Sequence, residues 1–149
     1  METTKHSYET NLSWIKGKTG KLSSEKVRTE FEVATPPEFP GGVEGMWSPE
    51  HLFIASASSC FMTTFLVIAE YSKLEFENLD IHATGTLGKP DGKFEMTEII
   101  LKPKLVITNE RFQDKAYRIL EKAEAACLIT RSMKTEVKLE PEVVVGVLD

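Results

Sequence analysis

Two residues in this sequence could carry redox or nucleophilic chemistry without a cofactor, Cys60 and Cys127. A pair of cysteines in a chain of 149 residues is too few for a disulfide framework, and in a reducing compartment such thiols are free, catalytic or redox-sensing. A thiol attacks only as thiolate, and burial among apolar neighbours pushes its pKa the wrong way. Something cationic or hydrogen-bonding must therefore compensate. By sequence the candidates are Lys16, Lys18, Lys21, Arg28 and Arg131, with a carboxylate such as Glu50 to hold the cation in place. The bland alternative is that both cysteines are small apolar core residues, the commonest role of a buried cysteine.

The elements that must position these residues read as follows. Tyr8, Thr10, Leu12 and Trp14 alternate with polar neighbours, as do Val27, Thr29, Phe31 and Val33, so both stretches are expected as half-buried strands. Between them the glycine-punctuated Lys16 to Lys21 suits a turn, and Thr35-Pro36-Pro37-Glu38-Phe39-Pro40-Gly41-Gly42 can only be a loop. Ser48-Pro49-Glu50 has the residues of a helix start: a capping hydroxyl, a proline at the first helical position, and an acid beside the positive end of the dipole. From Leu52 to Ala69 no residue is charged, yet Ser56, Ser58, Ser59, Thr63 and Thr64 make the stretch too polar for a membrane span. A helix buried on most sides, partly by another subunit, is the better expectation.

Further along, Leu79, Ile81 and Ala83 alternate, Lys89-Pro90-Asp91-Gly92 is a strong turn, and Phe94 to Ile107 resumes a strand pattern, which together predict a hairpin. Asn109 can cap a second helix whose Phe112, Ala116, Ile119, Leu120, Ala123 and Cys127 share one face. A last strand holds Val137 and Leu139. The order β-β-helix-β-β-helix-β predicts an α+β fold, a single domain over residues 1–149, with helices packed on a curved, largely antiparallel sheet. Cys60 and Cys127 then lie on the apolar faces of the two helices, and packing of those faces would bring the thiols close. A disulfide between them needs Cα atoms about 4.4 to 6.8 Å apart.

Bulk properties narrow the function. Hydrophobic residues at 41% and charged residues at 28% are ordinary for a globular chain, and the net charge of −5 argues against a nucleic-acid partner. The first residues, Met1 to Ser13, lack the basic and then apolar pattern of a secretory signal, so a cytoplasmic location is expected. His6, His51 and His82 share no metal-ligand spacing, and no metal is expected. Phe39, Met46, Trp47, Phe53 and Phe61 could line an apolar pocket, although such residues beside a buried helix often serve as plain core.

Trp47-Ser48-Pro49-Glu50-His51-Leu52-Phe53, followed by Ser59-Cys60-Phe61, resembles the signature helix of the OsmC/Ohr family, the osmotically inducible and organic hydroperoxide resistance proteins. Ala125-Ala126-Cys127 is similar to the segment that carries the family's second cysteine. The resemblance implies an intertwined homodimer and thiol-dependent reduction of peroxides, with no cofactor and with an external dithiol as reductant. By motif position it gives Cys60 the role of the thiol oxidised to a sulfenic acid, Cys127 that of the thiol that resolves it, and Glu50 that of the carboxylate positioning a catalytic arginine. Two departures stand out. The turn Gly17-Lys18-Thr19-Gly20 carries Lys18 where one branch has its arginine, with Arg28 as the other candidate, and Leu128 stands where a proline is common. Lysine keeps the charge but loses the planar fork of arginine. A dimeric binder of a hydrophobic small molecule is the alternative, and a purely structural subunit a third reading.

The helix adds one geometric step. Ten residues at 1.5 Å rise put Glu50 and Cys60 about 15 Å apart along the axis, so if both serve one site they come from different subunits.

Overall fold

The computed structural model describes residues 4–146. It divides into two compact units, one ending at Leu52 and the other beginning at Phe53.

The first unit is built on an antiparallel meander of β1 (Asn11–Lys16), β2 (Thr19–Ser24) and β3 (Val27–Ala34). Lys16 pairs with Thr19, which leaves Gly17 and Lys18 as the turn; Gly17 takes φ +53°, and a glycine at the first turn position matches the twist of the flanking strands. The expected turn over residues 16–21 thus shrinks to two residues, and β2 is a strand that the glycines and lysines of its sequence concealed. The first strand also begins at Asn11 rather than Tyr8. A further correction concerns burial: β1 is exposed along its length and β3 is buried only at Val33 and Ala34. Alternation marks which face of a strand is apolar; it does not say what covers that face.

The loop after β3 is held by backbone bonds from Phe39 N–H to the Pro36 carbonyl and from Gly42 N–H to the Phe39 carbonyl, 3.1 and 3.0 Å. It leads into α1 (Pro49–Tyr71), whose start is as the sequence reads. Ser48 Oγ accepts from the His51 N–H at 3.2 Å, while His51 Nδ1 accepts from the Ser48 N–H at 3.2 Å. Each side chain satisfies the other residue's amide, a reciprocal cap in which His51 takes the place usually held by Glu or Gln. Such a cap is worth about 1 kcal/mol. At the far end Lys73 adopts φ +56° and the Leu74 N–H returns to the Ala69 carbonyl at 2.9 Å, closing the helix.

In the second unit, Ala57, Phe61, Phe65 and Ala69 recur every fourth residue on α1 and are buried. This is one face, not most sides: Met62, Leu66 and Val67 are exposed, so within the chain the helix is covered on a single stripe. By length and composition α1 is also apolar enough to cross a membrane, but its buried stripe is seated on the core of this unit. The partner surfaces are β4 (Asn78–Gly88), β5 (Glu95–Ile107) and α2 (Gln113–Ala126). Ile99, Leu101, Leu105 and Ile107 of β5 and Ala116, Ile119, Leu120 and Ala123 of α2 complete the core. Asn109 caps a short 3-10 turn, Glu110–Phe112, its Oδ1 accepting from the Arg111 N–H at 3.0 Å, and α2 follows directly. Phe112 is partly exposed and does not share the buried face.

β4 and β5 form the expected antiparallel hairpin about residues 89–92. The chain's end departs from expectation. Two strands, β6 (Glu136–Leu139) and β7 (Glu142–Val145), run parallel to β5 along the same edge, β6 against residues 98–101 and β7 against residues 104–107. The gap between them falls at Pro103 and Pro141. Proline has no N–H to give to a ladder, so the edge is interrupted there and resumes beyond. The class is α+β, with the strands shared between a three-stranded antiparallel sheet and a four-stranded mixed one.

Candidate active site

Cys60 sits in the middle of α1, and Cys127 in the link between α2 and a four-residue helix that the sequence did not reveal, α3 (Leu128–Arg131). Sequence periodicity put Cys127 on the face of the second helix. Instead that helix ends at Ala126 and Cys127 is extended, φ −67° and ψ 114°, which turns the chain into α3. The consequence is chemical, because the first amides of a helix have no carbonyl four residues back and point outward as donors.

Both cysteines are free, Cys127 fully buried and Cys60 half-buried. Each thiol is close enough to shift the other's titration. Burial is the largest influence on Cys60 and acts to raise its pKa. The Ile129 N–H, the Cys127 thiol, the Thr64 hydroxyl and the Leu128 N–H together outweigh it, and leave Cys60 below the ordinary thiol value. Cys127 moves the other way. Burial raises it, the Thr130 N–H and hydroxyl offset part of that, and the neighbouring Cys60 raises it further. The lower value favours a thiolate at Cys60 and the higher one a protonated thiol at Cys127. Thr130 also pins the link, its hydroxyl donating to the Cys127 carbonyl at 3.2 Å.

The other residues singled out by sequence lie as follows. Lys18 is exposed in the β1–β2 turn, its aliphatic stem against Gly41, where an added Cβ would come within 3.1 Å of it. Gly41 takes φ +81°. Arg28 is exposed in β3, and Lys21 of β2 pairs with Glu30 at 3.4 Å. Glu50 lies in the first turn of α1, and its Oε1 is buried without a hydrogen-bond partner among the described residues. Phe61 is fully enclosed in the core and Phe53 packs against it. Trp47 is half exposed and meets the His51 ring edge-on at 6.0 Å, and Phe39 and Met46 are half-buried in the preceding loop. An open, mostly apolar cleft of about 460 Å³ in the first unit is lined by Leu12, Trp14, Lys18, Val33 and Pro49 rather than by those five residues. Among the described residues no cluster of His, Cys, Asp or Glu could hold a metal ion.

Sequence reasoning missed the donors at Cys60. Thr64 stands one helical turn after the cysteine and was legible by spacing; the amides of Leu128 and Ile129 were not, since they depend on a helix of four residues.

The comparisons with known proteins assign this α+β frame to a family. Residues 41–142 match the family described as OsmC-like protein, and the chain belongs to that family. The Bacillus subtilis protein YmaD is 27% identical over 92% of this chain and 93% of its own length. A Staphylococcus saprophyticus protein named organic hydroperoxide resistance protein-like 2 is 26% identical over 93% of this chain and 96% of its own. Among solved structures, an OsmC-like protein of Vibrio cholerae superposes with a TM-score of 0.83 at 25% identity, covering 92% of this chain and 99% of that one. The organic hydroperoxide resistance protein OhrB of Bacillus subtilis superposes with a TM-score of 0.68 at 18% identity, over 93% of this chain and 98% of that one, a likeness of fold alone.

Proposed function

We propose that the protein is a thiol-dependent peroxidase acting on organic hydroperoxides. The observation that carries this reading is a pair of free cysteines, Cys60 half-buried on α1 and Cys127 buried beyond α2, of which the first is favoured as thiolate and the second as thiol. The Cys60 thiolate attacks the distal oxygen of a hydroperoxide. The O–O bond breaks, the alkoxide leaves and takes up a proton as alcohol, and Cys60 becomes a sulfenic acid. Cys127 then displaces the sulfenic oxygen, which departs as water with the Cys127 proton, and a disulfide closes. An external dithiol, itself oxidised to a disulfide, returns both thiols. Membership of a family with relatives named for hydroperoxide resistance supports the same reading.

Glu50 and a cation, Lys18 or Arg28, enter as groups that steady the leaving alkoxide. A buried carboxylate oxygen without a donor is costly, and a cationic partner would satisfy it. Ten residues of helix separate Glu50 from Cys60, about 15 Å, so Glu50 would serve the thiol of a second chain in a homodimer.

The cleft lined by Leu12, Trp14 and Val33 favours a second reading, a binder of a hydrophobic small molecule without turnover. Exposing the reduced protein to cumene hydroperoxide while counting free thiols separates the two. Rapid loss of both thiols to an internal disulfide is the result expected of the enzyme. Persistent thiols, with a retained apolar ligand in native mass spectrometry, would rule it out in favour of the binder.

A further inference from the structure

The hydroxyl side chains of α1 do not all behave alike. Ser56, Ser58, Ser59 and Thr63 each donate to the carbonyl three residues back, at 2.7, 3.2, 3.2 and 3.1 Å. That is the ordinary recourse of a hydroxyl inside a helix, and it serves the backbone. Thr64 departs from it. Its Oγ1 lies 3.9 Å from Cys60 Sγ, across the one-turn spacing that puts residues four apart on the same face.

We propose that Thr64 is a positioning residue of the thiol site, whose hydroxyl donates to the Cys60 sulfur once that sulfur is ionised. With a neutral thiol either atom can donate. A thiolate has no proton left to give, so only the threonine can, and the contact becomes a charge-assisted hydrogen bond that favours the ionised form. Thr64 is half-buried, which limits competition from water. Among the described residues the titratable group facing Cys60 from outside α1 is Cys127, with the amides of Ile129 and Leu128 at the start of α3 as the other donors. Thr64 therefore supplies a donor from Cys60's own helix. The inference deepens the peroxidase reading, but it concerns the sulfur alone and can be tested without peroxide.

The test is the pH dependence of iodoacetamide alkylation at Cys60 in the reduced full-length protein, each cysteine followed separately by mass spectrometry. Thr64→Val keeps the branched shape and removes the donor. The expected result is a profile displaced to higher pH and a rate at pH 7 lower by about threefold to tenfold, the size of one hydrogen bond to a charged group weakened by its length. Thr64→Ser should restore the wild-type profile, and Thr63→Val, which loses only a bond to a carbonyl, should leave it unmoved. A Thr64→Val profile that coincides with wild type, or an equal displacement in Thr63→Val, overturns the proposal. Far-UV circular dichroism checks folding, and if the valine variant fails to fold, Thr64→Ala carries the same expectation. A protein that consumes no peroxide yet shows the Thr64 displacement would sink the peroxidase reading and leave this one standing; full peroxide turnover with no displacement does the reverse.

Discussion

Around Cys60 the polar influences lie close in the chain's own fold: a hydroxyl one turn along the same helix, a second thiol, and two amides at a helix start, all in the unit that begins at Phe53. Around Glu50, in the unit that ends at Leu52, the reverse holds. A buried carboxylate oxygen has no donor among the described residues, and the cations read from sequence, Lys18 and Arg28, stand exposed on a turn and a strand. The first region is poised within one chain, by dipoles and neutral donors rather than by full charge. In the second, a buried carboxylate oxygen lacks a donor among the described residues while both cations face solvent. Fixed amide dipoles cost no counter-charge and little reorganisation, so a thiolate can be favoured before any cation arrives.

Substitutions can break this contrast, and the largest effect is expected at its centre. Cys60→Ser should abolish peroxide consumption, measured by loss of cumene hydroperoxide, since no other described group is both nucleophilic and in contact with Cys127. Cys127→Ser should allow a single turnover and then stall, with Cys60 passing to sulfinic acid in intact-mass spectra. Mild and equal losses from the two would mean that their roles are not divided.

Smaller effects sharpen the comparison. As pH rises, Cys60 should be alkylated first and Cys127 only at higher pH, with iodoacetamide labelling of each followed by mass spectrometry. The signs follow from a thiolate favoured at Cys60 and disfavoured at Cys127. Leu128→Pro deletes one of the amide donors while keeping the chain path, because proline suits the first position of a helix and Cys127 already has the extended backbone that a following proline requires. The rate of Cys60 alkylation at pH 7 should then fall by about twofold to fivefold. Lys18→Ala should slow peroxide reduction by about tenfold or less and leave the alkylation profile of Cys60 nearly unmoved. A profile that shifts as far as in Leu128→Pro would make Lys18 an activating cation and erase the distinction between the two regions.

The cap of α1 was legible in Ser48-Pro49-Glu50, since caps are local and each residue there has one strong preference. The 89–92 hairpin and the buried stripe of α2 were legible for the same reason: turn chemistry and periodicity are short-range. Strand β2 was not, because Gly20 and Lys21 look like turn residues and only pairing on both sides makes a strand of them. Nor was β7, hidden behind Pro141, where the break lies in the ladder and not in the path of the chain.

The residue types and their spacing in the chain determined that two thiols exist, that one lies in the uncharged stretch of a capped helix, and that a carboxylate heads that helix ten residues earlier. Only the tertiary structure decided what the thiols feel. The break at Cys127, the short helix after it, and the amides that helix turns toward Cys60 arise from packing between segments nearly seventy residues apart. Backbone donors are identical in every non-proline residue, so no sequence letter announces them, and only the fold can aim them.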